Sequence, residues 1–323
     1  MGHSFTSLLA GRGCLVLDGG LATHLATLGF DLAGELWSAR ALIDAPELVR
    51  GAHLAFLAAG ADCVATASYQ ATLPGLHRAG LREIEARRIL RRSVELAQEA
   101  RDEHARATPG RGWHGGERRA LVAASVGPFG AYLADGSEYR GGYALGREEL
   151  VDFHRPRWRE LSAAGPDLLA VETIPSADEA LAILDLLEES SSAVPSGTPA
   201  PGAWLSLQCR DGRTLADGTP LADLVPFLVH PRLLALGVNC VAPALVTELL
   251  RTLREHSALP FVVYPNSGER WVDGRWRGSA AEWVTEAPSW RDLGAVAIGG
   301  CCRTGPDDIR RLRQVLEEAP ATG

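Results

Sequence analysis

The chain has 323 residues, 46% hydrophobic and 22% charged, a globular composition with enough apolar material for a large core. Its formal net charge of −8 disfavours nucleic acid and anionic membrane as partners, and no long apolar run suggests a membrane span. All 32 basic residues are arginine, so the chain has no lysine to form a Schiff base, anchor pyridoxal phosphate or build a GxxxxGK[ST] phosphate loop.

The N-terminus, MGHSFTSLLAGRG, lacks the basic segment and long apolar run of a signal peptide. A cytoplasmic location is expected, with the six cysteines acting as thiols or metal ligands rather than a disulfide framework. CLVLDGG (14–20) reads as the first strand. PELVRGAHLAFLAAG (46–60) reads as a helix, with proline near its start, an apolar stripe at Leu48, Leu54 and Leu57, and a closing glycine. ADCVATASY (61–69) is the second strand, and 82–106 is a long amphipathic helix. Strands follow at 120–128, 167–175, 203–209, 233–240, 260–268 and 295–302. Helices lie near 147–164, 176–190, 220–229, 243–257, 279–291 and 306–318. The strands are continuously apolar, as expected when both faces are buried. Eight strands alternating with eight helices read as an α/β chain folded into a single (β/α)8 TIM barrel domain over 1–323. A doubly wound open sheet is the alternative, but DGGLAT after the first strand lacks the GxGxxG spacing.

In a barrel, reactive residues belong at the C-terminal ends of the strands. Those ends carry Asp18, Ser68 and Tyr69, Pro128, Glu172 and Thr173, Arg210, Cys240, Asn266, and Cys301 with Cys302. The loops 21–45, 129–146 and 267–279 fall on the same face. The segments 108–119 and 190–202 precede strands and read as solvated connectors on the opposite face. Cys14 and Cys63 open their strands and read as core residues, while Cys209 is followed by the strand-ending Arg210 and reads as lying outside the site.

Cys240, Cys301 and Cys302 are therefore expected at one barrel mouth. Three thiolates with an open position describe a zinc site, and Gly299–Gly300 lets the adjacent cysteines turn toward one metal. Such an electron-rich centre suits a substrate thiol held as thiolate better than an activated water. The chemistry implied is alkylation of a small thiol, most simply methyl transfer. A non-enzymatic zinc or redox sensor built on the vicinal pair is the competing class; it would need no amino-acid pocket, and the elaborate mouth loops argue against it.

Eight segments occur in one order: LDGGLAT (17–23), LWSARAL (36–42), AGADCVATASYQAT (59–72), SVGPFGAYLADGSEYRG (125–141), VETIP (171–175), GVNC (237–240), YPNSGE (264–269) and GGCCRT (299–304). Together they resemble the homocysteine S-methyltransferase family over nearly the whole chain. The resemblance implies a (β/α)8 barrel, one zinc on Cys240, Cys301 and Cys302, and methyl transfer to homocysteine to give methionine. The family usually has an acidic residue where this chain has His24. The resemblance assigns the acidic positions matching Asp18 and Glu172 to homocysteine, and these carboxylates suit its ammonium. The amides of Gly19 and Gly20 are expected to approach its carboxylate. Trp37, Ser68, Tyr69 and Asn266 complete the expected substrate-binding set. Trp37, Tyr69, Phe129, Tyr132 and Tyr139 suit a sulfonium cation. Folate- and cobalamin-using relatives carry further domains, and betaine-type relatives extend past the eighth helix. A barrel spanning about 14 to 318 leaves a sulfonium donor as the expectation: S-methylmethionine preferred, S-adenosylmethionine poorer, with a betaine-type enzyme as the alternative. No dedicated protein partner is expected.

Overall fold

The continuously apolar segments become the parallel strands of one closed sheet. A computed structural model describes residues 5–6, 9, 13–34, 36–108, 119–192, 200–272 and 275–319. The strands are β1 (Leu15–Val16), β2 (Cys63–Ala65), β3 (Leu121–Val126), β4 (Leu168–Ile174), β5 (Ala203–Leu207), β6 (Leu233–Asn239), β7 (Phe261–Tyr264) and β8 (Ala295–Ile298). They pair in the order β1-β8-β7-β6-β5-β4-β3-β2, all parallel, and a parallel bridge from Leu17 to Cys63 joins β1 to β2. Every residue of β3, β4 and β5 is buried, because one face looks into the barrel and the other lies under helices.

The outer helices are α1 (Pro46–Ala58), α2 (Glu83–Ala107), α3 (Arg147–Ala163), α4 (Ala177–Ser192), α5 (Leu221–Leu224), α6 (Pro243–His256), α7 (Ala287–Asp292) and α8 (Pro306–Glu318). Proline opens α1, α6 and α8, where its missing N–H has no helical partner to lose. Two expected helices are shorter than their patterns. The fifth ends after one turn and becomes a 3-10 turn at Val225–Phe227, where Pro226 cannot donate. The seventh begins as a 3-10 turn at Trp283–Glu286 rather than at 279. The mouth loops contain structure of their own. Short helices occupy Leu21–Thr27, Ala41–Asp44, Leu73–Arg78 and Phe129–Leu133, and an antiparallel hairpin pairs Arg270–Val272 with Arg275–Arg277. The expected connectors fall largely on 109–118 and 193–199, and the signal-peptide reading on 1–4, 7–8 and 10–12, all outside the described residues.

The barrel interior changes character along its axis. Its lower part is apolar, with Leu15, Leu121, Ala123, Leu168, Ala170 and Val262 packed around Trp204. Trp204 Nε1 donates to the Tyr264 hydroxyl at 3.0 Å, which begins a polar layer toward the strand C-termini. The site therefore has a dry floor. Among the described residues no helix is long and apolar enough to cross a membrane.

At the opposite end, α8 is fastened to the first two strands by one guanidinium. Arg313 pairs with the buried Asp62 and donates to Gly60 O at 2.6 Å, while Asp62 also accepts Val16 N–H at 2.9 Å. Removing one partner of such a pair leaves a charge uncompensated. Asp62→Ala should lower stability by about 3 kcal/mol, read as a lower urea midpoint. An unchanged midpoint would show that Arg313 finds solvent instead.

Candidate metal and substrate site

The thiols meet because two strand ends grip the same strand from opposite sides. β7 lies between β6 and β8. At its end, Tyr264 O accepts the N–H of Cys240 at 3.1 Å and Pro265 O accepts that of Cys301 at 2.7 Å. Cys240 has φ 52°, a left-handed turn that directs the chain away from β6. The sulfurs of Cys240, Cys301 and Cys302 all lie within 4.8 Å of one another. Cys240 and Cys301 are joined as a disulfide, and Cys302 Sγ is 3.7 Å from Cys240 Sγ. The fold that clusters ligands for a metal thus also brings two of these thiols to bonding distance, while the other four cysteines stay free.

The GGCCRT turn is held tightly. Gly300 N donates to Asp18 O at 3.0 Å, Thr304 Oγ1 to Cys301 O at 2.7 Å, and Ser267 N to Cys302 O at 3.0 Å. Arg303, at φ 66°, donates its N–H to Thr23 Oγ1 and pairs with Glu269 at 2.9 Å. These contacts revise the role expected of the glycines. The Gly20 amide is used by Thr304, whose carbonyl and hydroxyl lie 3.0 and 3.1 Å away. A Cβ at Gly19 would sit 2.7 Å from Thr304 O, and one at Gly20 would strike Cys301 O. Glycine is required here so that β1 can approach the cysteine turn, and the Gly20 amide is not free for a substrate carboxylate.

Below the sulfurs the walls are acidic. Asp18 accepts Ala65 N–H at 2.8 Å, and burial, with Glu172 adding to it, raises its pKa well above the carboxylate range. Glu172 accepts from the Ser125 and Tyr264 hydroxyls, yet burial raises its pKa to about 7. Burial also pushes the Cys302 thiol up to about 11, against a hydrogen bond from Tyr139. Without a cation that thiol keeps its proton at neutral pH; a metal would displace it. The donor set fits a thiophilic ion: three soft sulfurs at one point, one buried and two partly buried.

Other expected residues are placed unequally. Asn266 lies beside Cys240, its Nδ2 3.5 Å from Cys240 O and its Oδ1 accepting Gly268 N–H. Ser68 spends its hydroxyl on Ser125 O at 2.7 Å. Tyr69 neighbours Cys302, Glu138 and Glu172. Trp37 opens a 3-10 turn in the first mouth loop at φ 44°. Arg210 is exposed and pairs with Asp211. Phe129 and Tyr132 pack on Phe153, with ring centroids 4.9 and 5.3 Å away, so they brace the loop. His24 packs edge-on against Phe56 at 5.3 Å.

Three residues escaped the strand-end reading. Asn239 bridges Thr173, accepting its N–H at 2.7 Å and donating to its hydroxyl at 2.8 Å. Tyr264 holds Glu172. Glu138 comes from mid-loop, with a buried Oε2 that has no hydrogen-bond partner among the described residues and a pKa raised by burial. The acidic SEY within an otherwise small-residue loop was the signal available for it.

A family model described as homocysteine S-methyltransferase matches residues 15–316. Homocysteine S-methyltransferase YbgG of Bacillus subtilis is 45% identical over 308 residues, covering 92% of this chain and 93% of that protein. The crystal structure of the homocysteine methyltransferase MmuM from Escherichia coli superposes in its metallated form with a TM-score of 0.84 at 43% identity, covering 95% of this chain and 98% of that one. Its oxidized form superposes with a TM-score of 0.86 at 44% identity, covering 97% and 99%.

The disulfide leaves Cys14, Cys63, Cys209 and Cys302 as free thiols. Titration of denatured, metal-free protein should therefore count four thiols before reduction and six after it. Cys240→Ser should abolish the reducible pair. Six thiols in unreduced protein would place the bond outside the molecule's solution state.

Proposed function

This chain belongs to the homocysteine S-methyltransferase family, and we propose that it carries a zinc on Cys240, Cys301 and Cys302 and takes its methyl group from S-methylmethionine. The observation that supports the metal is the convergence of three sulfurs from two strand ends within 4.8 Å. Zinc bound there would hold the homocysteine sulfur as a thiolate at neutral pH.

The rest of the reaction falls to the chain's own groups. Glu172, ionised above about pH 7, and Glu138 supply negative potential for the homocysteine ammonium, and Asp18, whose pKa burial raises, offers it a hydrogen-bonding oxygen, which together fix the amino acid while its sulfur reaches the mouth. Burial makes that attraction strong and also makes it depend on pH. A sulfonium donor brings its own leaving group, a neutral thioether, so the protein needs to align carbon and sulfur rather than protonate anything. The acidic walls favour a cationic donor over an anionic one such as methylfolate. Tyr69 and Tyr139, beside Cys302, present ring surface to such a cation. S-adenosylmethionine is read as the poorer sulfonium, and betaine as the alternative cation. A redox sensor draws on the Cys240–Cys301 bond but gives no role to the buried carboxylates.

Reduced protein should bind one zinc per chain. Alanine at Cys240, Cys301 or Cys302 should remove metal and methionine formation together, measured by elemental analysis and a homocysteine assay. Full zinc in all three variants would sink the metal assignment. A donor panel should give turnover with S-methylmethionine, less with S-adenosylmethionine and none with betaine or methylfolate; turnover with betaine alone would overturn the donor.

The sign of the pH dependence follows from Glu172. With its pKa near 7, the carboxyl is neutral below that pH and loses its hold on an ammonium. kcat/KM for homocysteine should therefore fall as pH drops through about 7. Glu172→Gln should lower it about tenfold at pH 8, as loss of a charge-assisted hydrogen bond implies, and flatten the acid limb with zinc retained. An unchanged KM and an unchanged limb would remove Glu172 from the substrate site.

A further inference from the structure

Outside the barrel wall, between β3, β4 and helices α3 and α4, three ionisable side chains are sealed from water. Arg157 is 1% exposed, and His154 and Glu179 are 0% exposed. They form a chain. Arg157 Nη2 donates to His154 Nδ1 at 2.7 Å, and His154 Nε2 lies 2.8 Å from Glu179 Oε1. A guanidinium has only donors, so Nδ1 must accept and the proton must sit on Nε2, directed at Glu179. The imidazole is therefore neutral, and burial holds its pKa below the ordinary value.

Stability does not account for this arrangement. Burying an ion pair costs desolvation that a well-packed apolar trio of similar volume would avoid. What the trio does is hold backbone. Arg157 Nη1 donates to Tyr69 O at 3.2 Å and Nη2 to Gly127 O at 2.5 Å, while Glu179 Oε1 accepts Phe129 N–H at 2.6 Å. These groups belong to the loops that follow β2 and β3.

Both loops lead to the thiols. Gly127 N–H donates to Tyr69 O at 3.3 Å, and the Tyr69 ring lies so close to Gly127 that a Cβ there would meet it at 2.7 Å. The Tyr69 hydroxyl is within hydrogen-bonding reach of Thr173, which Asn239 ties to the Cys240 strand. Phe129 begins the segment that ends in Glu138 and in Tyr139, the hydrogen-bond partner of Cys302. Arg157 and Glu179, linked through His154, therefore hold two walls of the mouth from behind the barrel wall.

We propose that Arg157, fixed by His154 and Glu179, is a positioning residue for the transfer. It sets Tyr69 and the Glu138–Tyr139 segment against the thiols from behind the barrel wall. The inference rests on the homocysteine-transferase reading, because it assigns Glu138 to the homocysteine ammonium and Tyr69 and Tyr139 to the cationic donor.

Lysine at 157 keeps the charge but cannot reach two carbonyls and an imidazole with a fixed fork. In reduced, zinc-loaded protein, Arg157→Lys should keep its metal and raise the homocysteine KM by about tenfold or more, the scale of a small misplacement. The KM for the methyl donor should rise as well, because Tyr69 and Tyr139 face the donor. Homocysteine affinity by calorimetry should weaken in parallel. Glu179→Gln, whose carbonyl oxygen can still accept Phe129 N–H, should stay near wild type in KM, whereas Glu179→Ala should reproduce the Arg157→Lys defect. That pair keeps the test open if Arg157→Lys fails to fold. A purely structural role would lower the thermal midpoint and scale kcat while both KM values and the affinity stayed unchanged, and this result overturns the proposal. Wild-type protein that neither binds nor methylates homocysteine overturns the transferase reading and the proposal with it. Active wild type with unaltered variants overturns the proposal alone.

Discussion

The arrangement of this protein depends on two strands ending on either side of a third. Cys240 and Cys301 are 61 residues apart in sequence, and what brings them together is the tip of β7, whose last carbonyls take one amide from each. Three sulfurs at one point repel as thiolates and gain little as thiols. A cation or a covalent bond between two of them removes that repulsion, and here Cys240 and Cys301 are bonded.

The barrel floor is apolar around Trp204, which seals the site from below, and the polar layer begins at Tyr264. Asp18 and Glu172 sit in the dry part of this gradient, which raises both carboxyl pKa values and leaves any charge they carry poorly screened. The mouth is thus acidic and lined with thiols, and the burial that raises the carboxyl pKa values makes the charge of its walls depend on pH.

Rigidity is supplied from outside. Loops at a barrel mouth are its most mobile part, yet here the loops after β2 and β3 are pinned through their backbones by Arg157 and Glu179. An aromatic cluster of Phe129, Tyr132, Tyr143 and Phe153 braces the same segment. The Arg313–Asp62 contact does equivalent work at the far end, where α8 meets the first two strands. At both ends a buried charged side chain holds backbone in one place.

The sequence by itself determined the barrel, because eight continuously apolar runs spaced by helical periods can bury both faces only with helices outside and a closed sheet within. It also determined that the thiols share a mouth, since each ends a strand and parallel strands end on one face. Position along a strand is local information. Partnership is not, and here the reading from residues alone failed in specific places. The Gly20 amide, expected to meet a carboxylate, is taken by Thr304, 284 residues away. Phe129 and Tyr132, expected at the donor, pack on Phe153 from the next helix. Glu138 enters the site from mid-loop, where no strand register announces it, and the fifth helix shortens at Pro226. Only the tertiary structure decided these, because a hydrogen bond or ring contact depends on which distant group the closed fold delivers, and chain periodicity carries no record of that.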